Sequence, residues 1–591
     1  MRQVHTPQPI HFAKTTWENN SLCSEMFGDI YFSVHGGRQE SSELYLEGNQ
    51  LAERFSNCNN FVVGEIGFGT ALNFALTLEL WNKCSRDSSQ LFYISYEKYP
   101  VPSSQMELVL LSQGVNLELV DRIVSNLPLP IEAVHIIDLP EYRTRLLLNY
   151  GDAAEKLKET SAKVDAWYLD GFAPSKNPDC WSEEVLLEVS RLSHSKTTAS
   201  TYSVSGLVRQ RLSQLNWNIE KFPGSGKKKE SLRAKFNGPD KTSSSQKNFK
   251  VSVVGAGLSG CAIAESFVRR GAEVSLYESR PGLAMAASGN QFGVVLPYPS
   301  RARDIPQRYY TASFLYLNSL LKRFGPTTTG VLFQPLKDRK GGFYTDYSRY
   351  EYPKEFAQIV SASESSKLAG INLNKPSLYF PSGGAVNFPD FCRSLTKQVN
   401  NIYLNTKVAS ISELAEQFDI TVLASGSDFE LLPKHIQSFV YPLKGETGVV
   451  SATAESQKLK IPICDTGYLC PSFNGGHLVG STYERGVSDE SLSENGEFEL
   501  GKVFNSFFPE VSAKFVSRRA GIRVASKDRM PIIGEVQNET RGLRVLVSTA
   551  HGSRGGVTAF LAAELLVARI YGEPEPMEMR LAKAIGVERI K

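Results

Sequence analysis

Two glycine-rich loops, each with an acidic residue further along the chain, carry the clearest chemical signals in this sequence. The first loop contains Glu65, Gly67 and Gly69, follows an apolar run and precedes a stretch with helical periodicity. Glycines let a backbone approach a ligand closely, and the first turn of a helix offers unpaired N–H groups. The next apolar run ends in Glu97, where an acid in a doubly wound fold binds both ribose hydroxyls. This loop therefore predicts a pocket for a nucleotide-like cofactor.

The second loop has the spacing Gly255-x-Gly257-x-x-Gly260, again between a strand-like run and a helix-like run. A later apolar run ends in Glu278, which lies 23 residues after Gly255 and matches the ribose-binding position of a dinucleotide fold. Because the glycines and the acid occur at the distances that one strand–helix–strand unit requires, this spacing predicts an FAD-binding βαβ unit.

Two further acids indicate which cofactor the first loop binds. Asp152 ends a strand-like run and suits the adenine side of a cofactor, and Glu65 inside the loop favours S-adenosylmethionine over a dinucleotide. Asp170 closes the fourth strand, where a parallel sheet presents its ligands. A carboxylate there can accept a hydrogen bond from an attacking amine and orient its lone pair toward the sulfonium methyl. The alternative for Asp170 is a helix-capping or turn acid.

A glycine-rich turn near the C-terminus precedes a long helix-like run. Its Gly552, Ser553 and Gly555 are expected at a helix start that faces the flavin C2 carbonyl, where N–H groups stabilise the charge of the reduced ring. The alternative is a plain turn before a helix. Arg523 or Arg554 could hold a substrate carboxylate in a bidentate fork. Either arginine could instead hold backbone carbonyls or phosphates.

Length and composition indicate how these motifs are distributed over domains. The 591 residues are 41% hydrophobic and 21% charged, which is typical of a globular chain with two or three domains. The stretch from Gly238 to Lys247 has no apolar residue and is typical of a linker. We therefore expect a first domain over residues 1–237, a linker over 238–248 and a second domain over 249–591.

Several classes of protein are disfavoured by what the sequence lacks. No run of about 18 apolar residues is present, and the N-terminus has no apolar signal-peptide core. The eight cysteines are scattered without a Cys-x-x-Cys pair, which argues against a zinc site or a disulfide framework. We expect a cytoplasmic protein without a metal or a membrane partner, and no obligate protein partner is evident.

The net charge of +3 is unevenly distributed. Residues 1–190 carry 14 Lys/Arg against 26 Asp/Glu, whereas residues 191–247 carry 12 against three, a balance of +9. A basic cluster beside a catalytic domain would attract and align a polyanionic substrate. The alternative is a solvated segment that contacts nothing. The basic residues of this cluster include Arg209, Arg211, Lys227, Lys228, Lys229, Arg233 and Lys235.

Further motifs occur in the order that is typical of a single enzyme family. They are Asp29-Ile30-Tyr31-Phe32-Ser33, Tyr45-Leu46-Glu47-Gly48-Asn49, Gly67-Phe68-Gly69-Thr70-Ala71-Leu72-Asn73-Phe74, Leu169-Asp170-Gly171-Phe172-Ala173-Pro174 and Thr201-Tyr202-Ser203. In these motifs the chain resembles the MnmC family, the bifunctional enzymes that complete 5-methylaminomethyl-2-thiouridine at the wobble position of tRNA. In the second half, Ala287-Ser288-Gly289-Asn290 is similar to the small-residue loop of flavin oxidases of the D-amino-acid oxidase type. The resemblance covers nearly the whole chain.

The resemblance implies an α/β protein with a Rossmann-like S-adenosylmethionine methyltransferase domain. A second FAD-binding Rossmann domain of the D-amino-acid oxidase type follows, with an inserted α+β substrate domain and with Ser288 and Gly289 against the cofactor. The implied substrate is tRNA whose wobble uridine carries 5-carboxymethylaminomethyl. Oxidation with FAD and hydrolysis release glyoxylate and leave an aminomethyl group. Its nitrogen then takes the methyl group of S-adenosylmethionine, and Asp170 orients that nitrogen.

Two readings from other classes remain open. One is a small-molecule amine or amino-acid oxidase fused to an amine methyltransferase, which would leave the basic segment at 191–247 without a role. The other is a binding or scaffold protein with decayed pockets. The presence of Glu97, Asp170, Glu278 and both glycine loops argues against decay, because a decayed site is free to lose such residues.

Overall fold

The computed structural model describes residues 8–33, 36–224, 230–240, 248–298, 304–324, 328–334, 348, 351–536 and 544–590. The chain divides into two compact units. The N-terminal unit contains the described residues up to Asp240 together with Ala568–Met579. The C-terminal unit contains the described residues of 248–567 and 580–590.

An eight-stranded sheet forms the centre of the N-terminal unit, and its order is β10-β11-β9-β8-β4-β5-β7-β6. Strands β9, β8, β4, β5 and β7 are parallel, and a separate antiparallel sheet contains β1 to β3. The parallel strands are almost fully buried, as is typical of parallel sheets, and this explains their continuous apolar runs. The strands are β1 (Thr15–Glu18), β2 (Ser21–Ser24), β3 (Asp29–Ile30), β4 (Asn60–Ile66), β5 (Gln90–Glu97), β6 (Val134–Leu139), β7 (Thr144–Tyr150), β8 (Ala166–Leu169), β9 (Thr198–Thr201), β10 (Trp217–Pro223) and β11 (Glu230–Phe236).

Three helices of this unit begin at a residue whose side chain accepts from a first-turn N–H group, namely Asn116, Asp152 and Ser182. Asp152 accepts from the N–H groups of the first turn of α6, and Ser182 does the same for α7. A π-helical turn, Ser42–Glu47, carries Tyr45 into the core. The helices are α1 (Gly37–Ser41), α2 (Leu51–Ser56), α3 (Leu72–Cys84), α4 (Ser103–Ser112), α5 (Leu117–Ser125), α6 (Ala153–Lys158), α7 (Glu183–Arg191) and α8 (Gly206–Gln214).

The C-terminal unit has two larger sheets and a short two-stranded one. The first is six-stranded, with the order β19-β13-β12-β20-β28-β27, and its first five strands are parallel. The second is nine-stranded, with the order β16-β17-β15-β22-β23-β24-β21-β25 and β26 beside β21. The strands are β12 (Lys250–Val254), β13 (Glu273–Tyr277), β14 (Gly293–Val295), β15 (Val331–Phe333), β16 (Gln358–Val360), β17 (Ser377–Phe380), β18 (Gly384–Val386), β19 (Asn401–Tyr403), β20 (Ile420–Leu423), β21 (Val440–Ser451), β22 (Ile463–Cys464), β23 (Tyr468–Phe473), β24 (Gly476–Gly480), β25 (Glu484–Arg485), β26 (Phe515–Ser526), β27 (Ile532–Val536) and β28 (Val545–Thr549).

The strands of the nine-stranded sheet come between strands of the six-stranded sheet along the chain, as expected for an inserted α+β domain. The predicted fold class is confirmed in both units. The described helices are α9 (Leu258–Val268), α10 (Ile305–Phe324), α11 (Ala362–Ala369), α12 (Phe388–Leu395), α13 (Ile411–Ala415), α14 (Lys434–Gln437), α15 (Glu494–Phe507), α16 (Gly555–Tyr571) and α17 (Met579–Ile585). Within the described ranges, none of the helices has the length and apolar character needed to cross a membrane.

The segment Ala568–Met579 completes the N-terminal unit from the far end of the chain. Its Glu578 accepts from the ammonium of Lys156 at 2.6 Å, and Glu132 contacts the same ammonium at 2.8 Å. Lys156 is only 3% exposed, and these carboxylates compensate the cost of burying its side chain. Of the predicted linker, residues 241–247 lie outside the described residues.

Candidate functional site

The N-terminal unit has a cavity of about 580 Å³ at the carboxyl ends of β4, β5 and β8. This is the edge where open α/β sheets bind their ligands, because the strand order reverses there. Both glycines of the first loop line the cavity. The other lining residues include Phe27, Tyr31, Tyr45, Asn73, Glu97, Asp152, Asp170, Phe172 and Tyr202.

The first loop needs glycine at Gly67 for two reasons. Its φ of 92° lies in the left-handed region, and a Cβ at this position would lie 2.9 Å from the carbonyl oxygen of Asp170. The backbone of β4 therefore passes close to the end of β8 and leaves the cavity open between them. Gly69 continues the turn into α3, with a φ of 51°.

The predicted ribose and adenine acids both lie at the cavity. Glu97 accepts from the N–H of Gly69 at 2.9 Å and from that of Tyr99 at 2.8 Å, so its carboxylate is fixed across the loop. Burial raises the pKa of Glu97, and these backbone hydrogen bonds oppose the increase. Asp152 caps α6 and accepts from the ammonium of Lys98 at 3.0 Å. Both positions fit a ribose and an adenine, and the assignment stays a prediction.

Asp170 lies in the cavity with both carboxylate oxygens engaged. The hydroxyl of Tyr45 donates to Oδ1, and the amide of Asn73 donates to Oδ2 at 2.7 Å. Burial and the adjacent Asp170 carboxylate raise the pKa of Tyr45, so its hydroxyl keeps the proton that it donates. Asp170 is therefore a fixed acceptor beside the cavity and not a helix cap. Tyr45 and Asn73 are site residues that sequence reasoning missed as such, although both occur in the motifs of the family resemblance.

Glu65 lies behind the cavity wall. Its carboxylate is 1% exposed and accepts from Asn73 at 3.1 Å and from the hydroxyl of Ser95 at 2.8 Å. Burial raises the pKa of Glu65 to about 8, and the nearby Asp170 carboxylate adds to the increase. Among the cavity-lining residues, Asn73 is the one through which Glu65 reaches the site. The predicted contact of Glu65 with the cofactor stays a prediction.

The raised pKa of Glu65 predicts a pH-dependent stability. Because the folded-state pKa of about 8 exceeds the usual 4.5, the carboxyl contributes stability that is complete below 4.5 and is lost as the pH rises through 8. Relative to Glu65→Gln, the wild-type protein should therefore lose melting temperature from about pH 5 to about pH 9. Thermal unfolding of both proteins across this range measures the difference. Parallel curves would show that Glu65 titrates as an ordinary glutamate.

An aromatic wall lies beside Asp170. The ring of Phe172 packs against Phe27 and Tyr31 with centroid distances of 5.1 Å each. The backbone that carries Phe172 is fixed, because Tyr202 donates to the carbonyl of Gly171 at 2.7 Å. A rigid aromatic wall next to a fixed acceptor suits a flat, base-like ligand.

The C-terminal unit has a second cavity, of about 770 Å³, at the carboxyl ends of β12, β13 and β20. Its first glycine, Gly255, has a φ of 102°, and a Cβ there would lie 2.4 Å from the carbonyl oxygen of Ala424. Glu278 accepts from the N–H of Ala256 at 2.9 Å and so lies beside the loop, as a ribose acid requires. Of the predicted cofactor residues, those that line this cavity are Gly255, Gly257, Glu278, Ser288, Gly552, Ser553 and Gly555.

The remaining two predicted residues lie near the second cavity without lining it. Gly260 lies in the first turn of α9, and its Cα faces the carbonyl of Gly255. Gly289 follows Ser288, whose hydroxyl accepts from the N–H of Leu258 at 3.1 Å. The small-residue loop is thus joined to the glycine loop by a hydrogen bond. A direct contact of either glycine with FAD stays a prediction.

Gly255→Ala should yield a protein without bound flavin. The new methyl group meets the carbonyl of Ala424 in a backbone conformation that alanine rarely adopts, so the loop must move out of the position that receives the pyrophosphate. The visible absorbance of the purified protein, relative to its absorbance at 280 nm, measures the loss. Gly486→Ala is the matched control, because its φ of 81° is also left-handed, its Cβ meets no atom within 4 Å, and Gly486 does not line the cavity.

The two predicted substrate arginines lie in the second cavity in different surroundings. Nη1 of Arg523 is buried and has no hydrogen-bond partner among the described residues, and the guanidinium lies 5.2 Å from the ring centre of Tyr483. The guanidinium of Arg554 lies over the rings of Tyr298 and Tyr310, at 4.3 and 5.4 Å. A buried N–H without a partner is costly, so Arg523 is the arginine that most requires an anionic ligand.

Both cavities fit the cofactors that their loops predict. In the first, glycine turn, ribose acid and adenine acid surround one space with Asp170 at its inner end. In the second, the glycine loop, Glu278 and the turn at Gly552 surround a larger space. When bound, S-adenosylmethionine supplies an electrophilic methyl group to the first cavity, and FAD supplies an acceptor for a hydride to the second.

The basic segment is only partly described. Lys227, Lys228 and Lys229 lie outside the described residues. The side chain of Arg233 stacks on Phe222 at 4.6 Å, and that of Arg211 donates to the carbonyl of Trp181. Among the described basic residues of 191–247, the exposed ones include Arg209 and Lys235, together with Arg191, Lys196 and Lys221.

Comparison with known proteins finds relatives along the whole chain. Residues 116–237 match the family described as S-adenosyl-L-methionine-dependent methyltransferase, and residues 250–569 match the FAD dependent oxidoreductase family. The tRNA 5-methylaminomethyl-2-thiouridine biosynthesis bifunctional protein MnmC of Legionella pneumophila (strain Corby) is 30% identical over 98% of this chain and 98% of its own. The protein of the same name in Nitrosospira multiformis is 29% identical to this chain, over 97% of this chain and 98% of its own. A glycine oxidase structure from Bacillus cereus covers 55% of this chain and 95% of its own, with 20% identity and a TM-score of 0.46.

Proposed function

Because this chain belongs to the MnmC family of bifunctional tRNA 5-methylaminomethyl-2-thiouridine biosynthesis proteins, we propose that its two cavities act in sequence on one tRNA nucleoside. The chain is an FAD-dependent oxidoreductase and an S-adenosylmethionine-dependent methyltransferase. It removes the carboxymethyl group from 5-carboxymethylaminomethyluridine, with or without the 2-thio group, and then methylates the aminomethyl nitrogen. The wobble uridine of the anticodon loop is its substrate.

In the C-terminal unit, the substrate carboxylate occupies the space beside Arg523. The buried Nη1 and its neighbouring N–H groups form a fork that a carboxylate can satisfy with two hydrogen bonds. This anchors the glycine-like end of the side chain, so that its methylene faces the flavin. The helix that begins at Gly555 starts at the lining of the same cavity, where its first N–H groups would stabilise negative charge.

In the N-terminal unit, Asp170 orients the aminomethyl nitrogen that remains after oxidation. A primary amine is mostly protonated at neutral pH, so it must release a proton before its lone pair can attack. Asp170 already accepts from Tyr45 and Asn73, which makes it a weak base. It therefore orients the amine through a further lone pair, and water takes the proton.

The observation that carries this proposal is that one chain has a cavity suited to an amine nitrogen and a second cavity suited to a carboxylate. One cavity has a fixed carboxylate that can bind a nitrogen, and the other is lined by Arg523, whose buried Nη1 has no partner among the described residues and can bind a carboxylate. A carboxymethylamine contains both groups. The basic segment and its exposed Arg209 and Lys235 support a polyanionic carrier such as tRNA.

Nucleoside mass spectrometry tests the proposal directly. Total tRNA from cells that lack the protein is incubated with purified protein, with and without S-adenosylmethionine. Carboxymethylaminomethyluridine should disappear in both cases, and the aminomethyl form should accumulate only without the methyl donor. If no tRNA nucleoside changes while free N-carboxymethyl amines are oxidised, the proposal is wrong, and the protein is a small-molecule amine oxidase fused to an amine methyltransferase.

A further inference from the structure

The orientation of the Asn73 amide is fixed by its neighbours. Its Nδ2 lies 2.7 Å from Asp170 Oδ2 and 3.1 Å from Glu65 Oε1. The Asp170 carboxylate only accepts, and a protonated Glu65 still accepts through its carbonyl oxygen, so both amide hydrogens face these groups and the amide oxygen faces the other way. Asn73 lines the cavity, and its Oδ1 accepts no hydrogen bond from any residue in the described ranges. The lining of the cavity thus offers two acceptors, Asp170 and Asn73 Oδ1, and the Nδ2 of the same amide donates to Asp170.

Resting on the proposed function, we propose that Asn73 is a second catalytic residue of methyl transfer and limits the reaction to one methyl group. A neutral primary amine has two N–H groups and one lone pair in a tetrahedral arrangement. When Asp170 accepts one N–H and Asn73 Oδ1 accepts the other, the lone pair has one remaining direction, toward the methyl donor. Two acceptors therefore fix the nucleophile more tightly than Asp170 alone.

The reaction balances within this arrangement. The nitrogen lone pair forms the new N–C bond while the S–C bond breaks, and the sulfur keeps the electron pair of that bond. S-adenosylhomocysteine leaves as a neutral thioether, and the nitrogen carries the positive charge until one of its protons passes to water. The product is a secondary amine with a single N–H.

The product no longer matches the two acceptors. To direct its lone pair at a second methyl donor, it would have to place its new methyl group against either Asp170 or Asn73. That acceptor would then lose its hydrogen bond in a buried site, which is unfavourable. Asn73 therefore acts as a specificity residue, because it makes the monomethyl product a poor substrate.

Asn73→Ala tests this role through the products as well as the rate. The wild-type protein and the variant are incubated with aminomethyl-tRNA and excess S-adenosylmethionine, and the nucleosides are followed by mass spectrometry. We expect kcat to fall about tenfold or more, with the dissociation constant of S-adenosylmethionine changed by less than about threefold. The variant should also form dimethylaminomethyluridine, which the wild-type protein should not form from its own product during prolonged incubation.

Asn116→Ala is the matched control, because Asn116 caps α5 and does not line the cavity. Its rate and product should equal those of the wild type. The proposal is overturned if Asn73→Ala keeps wild-type turnover, if it slows without any dimethyl product, if its loss follows weakened donor binding, or if the wild type dimethylates. Failure of the wild type to methylate aminomethyl-tRNA at all would overturn the proposed function instead.

Discussion

Replacing Asp170 with asparagine is expected to lower the turnover of methyl transfer by about 100-fold or more and to leave carboxymethyl removal unchanged. The amide presents one acceptor oxygen where the carboxylate presents two, and Tyr45 and Asn73 already donate to this group. The incoming amine then loses the anion that orients its lone pair. Single-turnover methylation of aminomethyl-tRNA measures the loss, and oxidation of carboxymethylaminomethyl-tRNA by the same preparation measures the other activity.

Asp121→Asn provides the matched control for this experiment. Asp121 is an exposed acid on α5 that does not line the cavity, so the same chemical change there should leave both rates unchanged. If Asp170→Asn keeps methyl transfer within about threefold of the wild-type rate, the carboxylate does not orient the nucleophile. A parallel loss of S-adenosylmethionine binding would place Asp170 at the donor and not at the amine.

Replacing Arg523 with methionine is expected to lower kcat/KM for carboxymethyl removal by about 30-fold or more, with flavin still bound. Truncating one partner of a buried charge pair costs about 2–5 kcal/mol, because the other charge is left without a counterion. Nη1 of Arg523 is buried and has no partner among the described residues, Arg523 lines the cavity, and methionine keeps an unbranched apolar stem without the charge. Stopped-flow reduction of the bound flavin by carboxymethylaminomethyl-tRNA measures the effect.

Arg544→Met separates a specific loss from a general effect of removing an arginine. Arg544 forms an exposed ion pair with Glu535, at 2.9 Å, and contributes no atom to the cavity. Its variant should oxidise the substrate at the wild-type rate. If Arg523→Met is purified without flavin, the arginine supports the cofactor, and Arg554 becomes the residue to test for the substrate carboxylate.

The cofactor-binding halves of the fold were predictable because their signals are local. Each glycine loop lies between its own strand and helix, and each ribose acid ends the next strand, so a window of about 30 residues contains the unit. The nine-stranded sheet was not predictable in detail. It pairs Val440–Ser451 with Phe515–Ser526, and pairing across such a separation depends on tertiary packing and not on local preference.

In the first site, too, contacts between residues that are far apart in the sequence could not be predicted. Asp170 could be predicted because a strand end in a parallel sheet is a known position for function. Its partner Tyr45 is 125 residues distant and comes from a π-helical turn, which periodicity does not reveal. The contact of Glu65 with the cofactor stays a prediction; in the structure its carboxyl group accepts from Asn73, which lines the cavity.

Protein synthesis completes the two units in an order that differs from their order along the chain. Lys156 leaves the ribosome 422 residues before Glu578, an interval on the order of tens of seconds during elongation. Throughout that interval its buried ammonium has Glu132 but not its second carboxylate. A nascent chain therefore cannot finish the methyl-transfer unit until the oxidoreductase sequence has been translated. The N-terminal unit therefore has all its described contacts only in chains that also contain the oxidoreductase sequence.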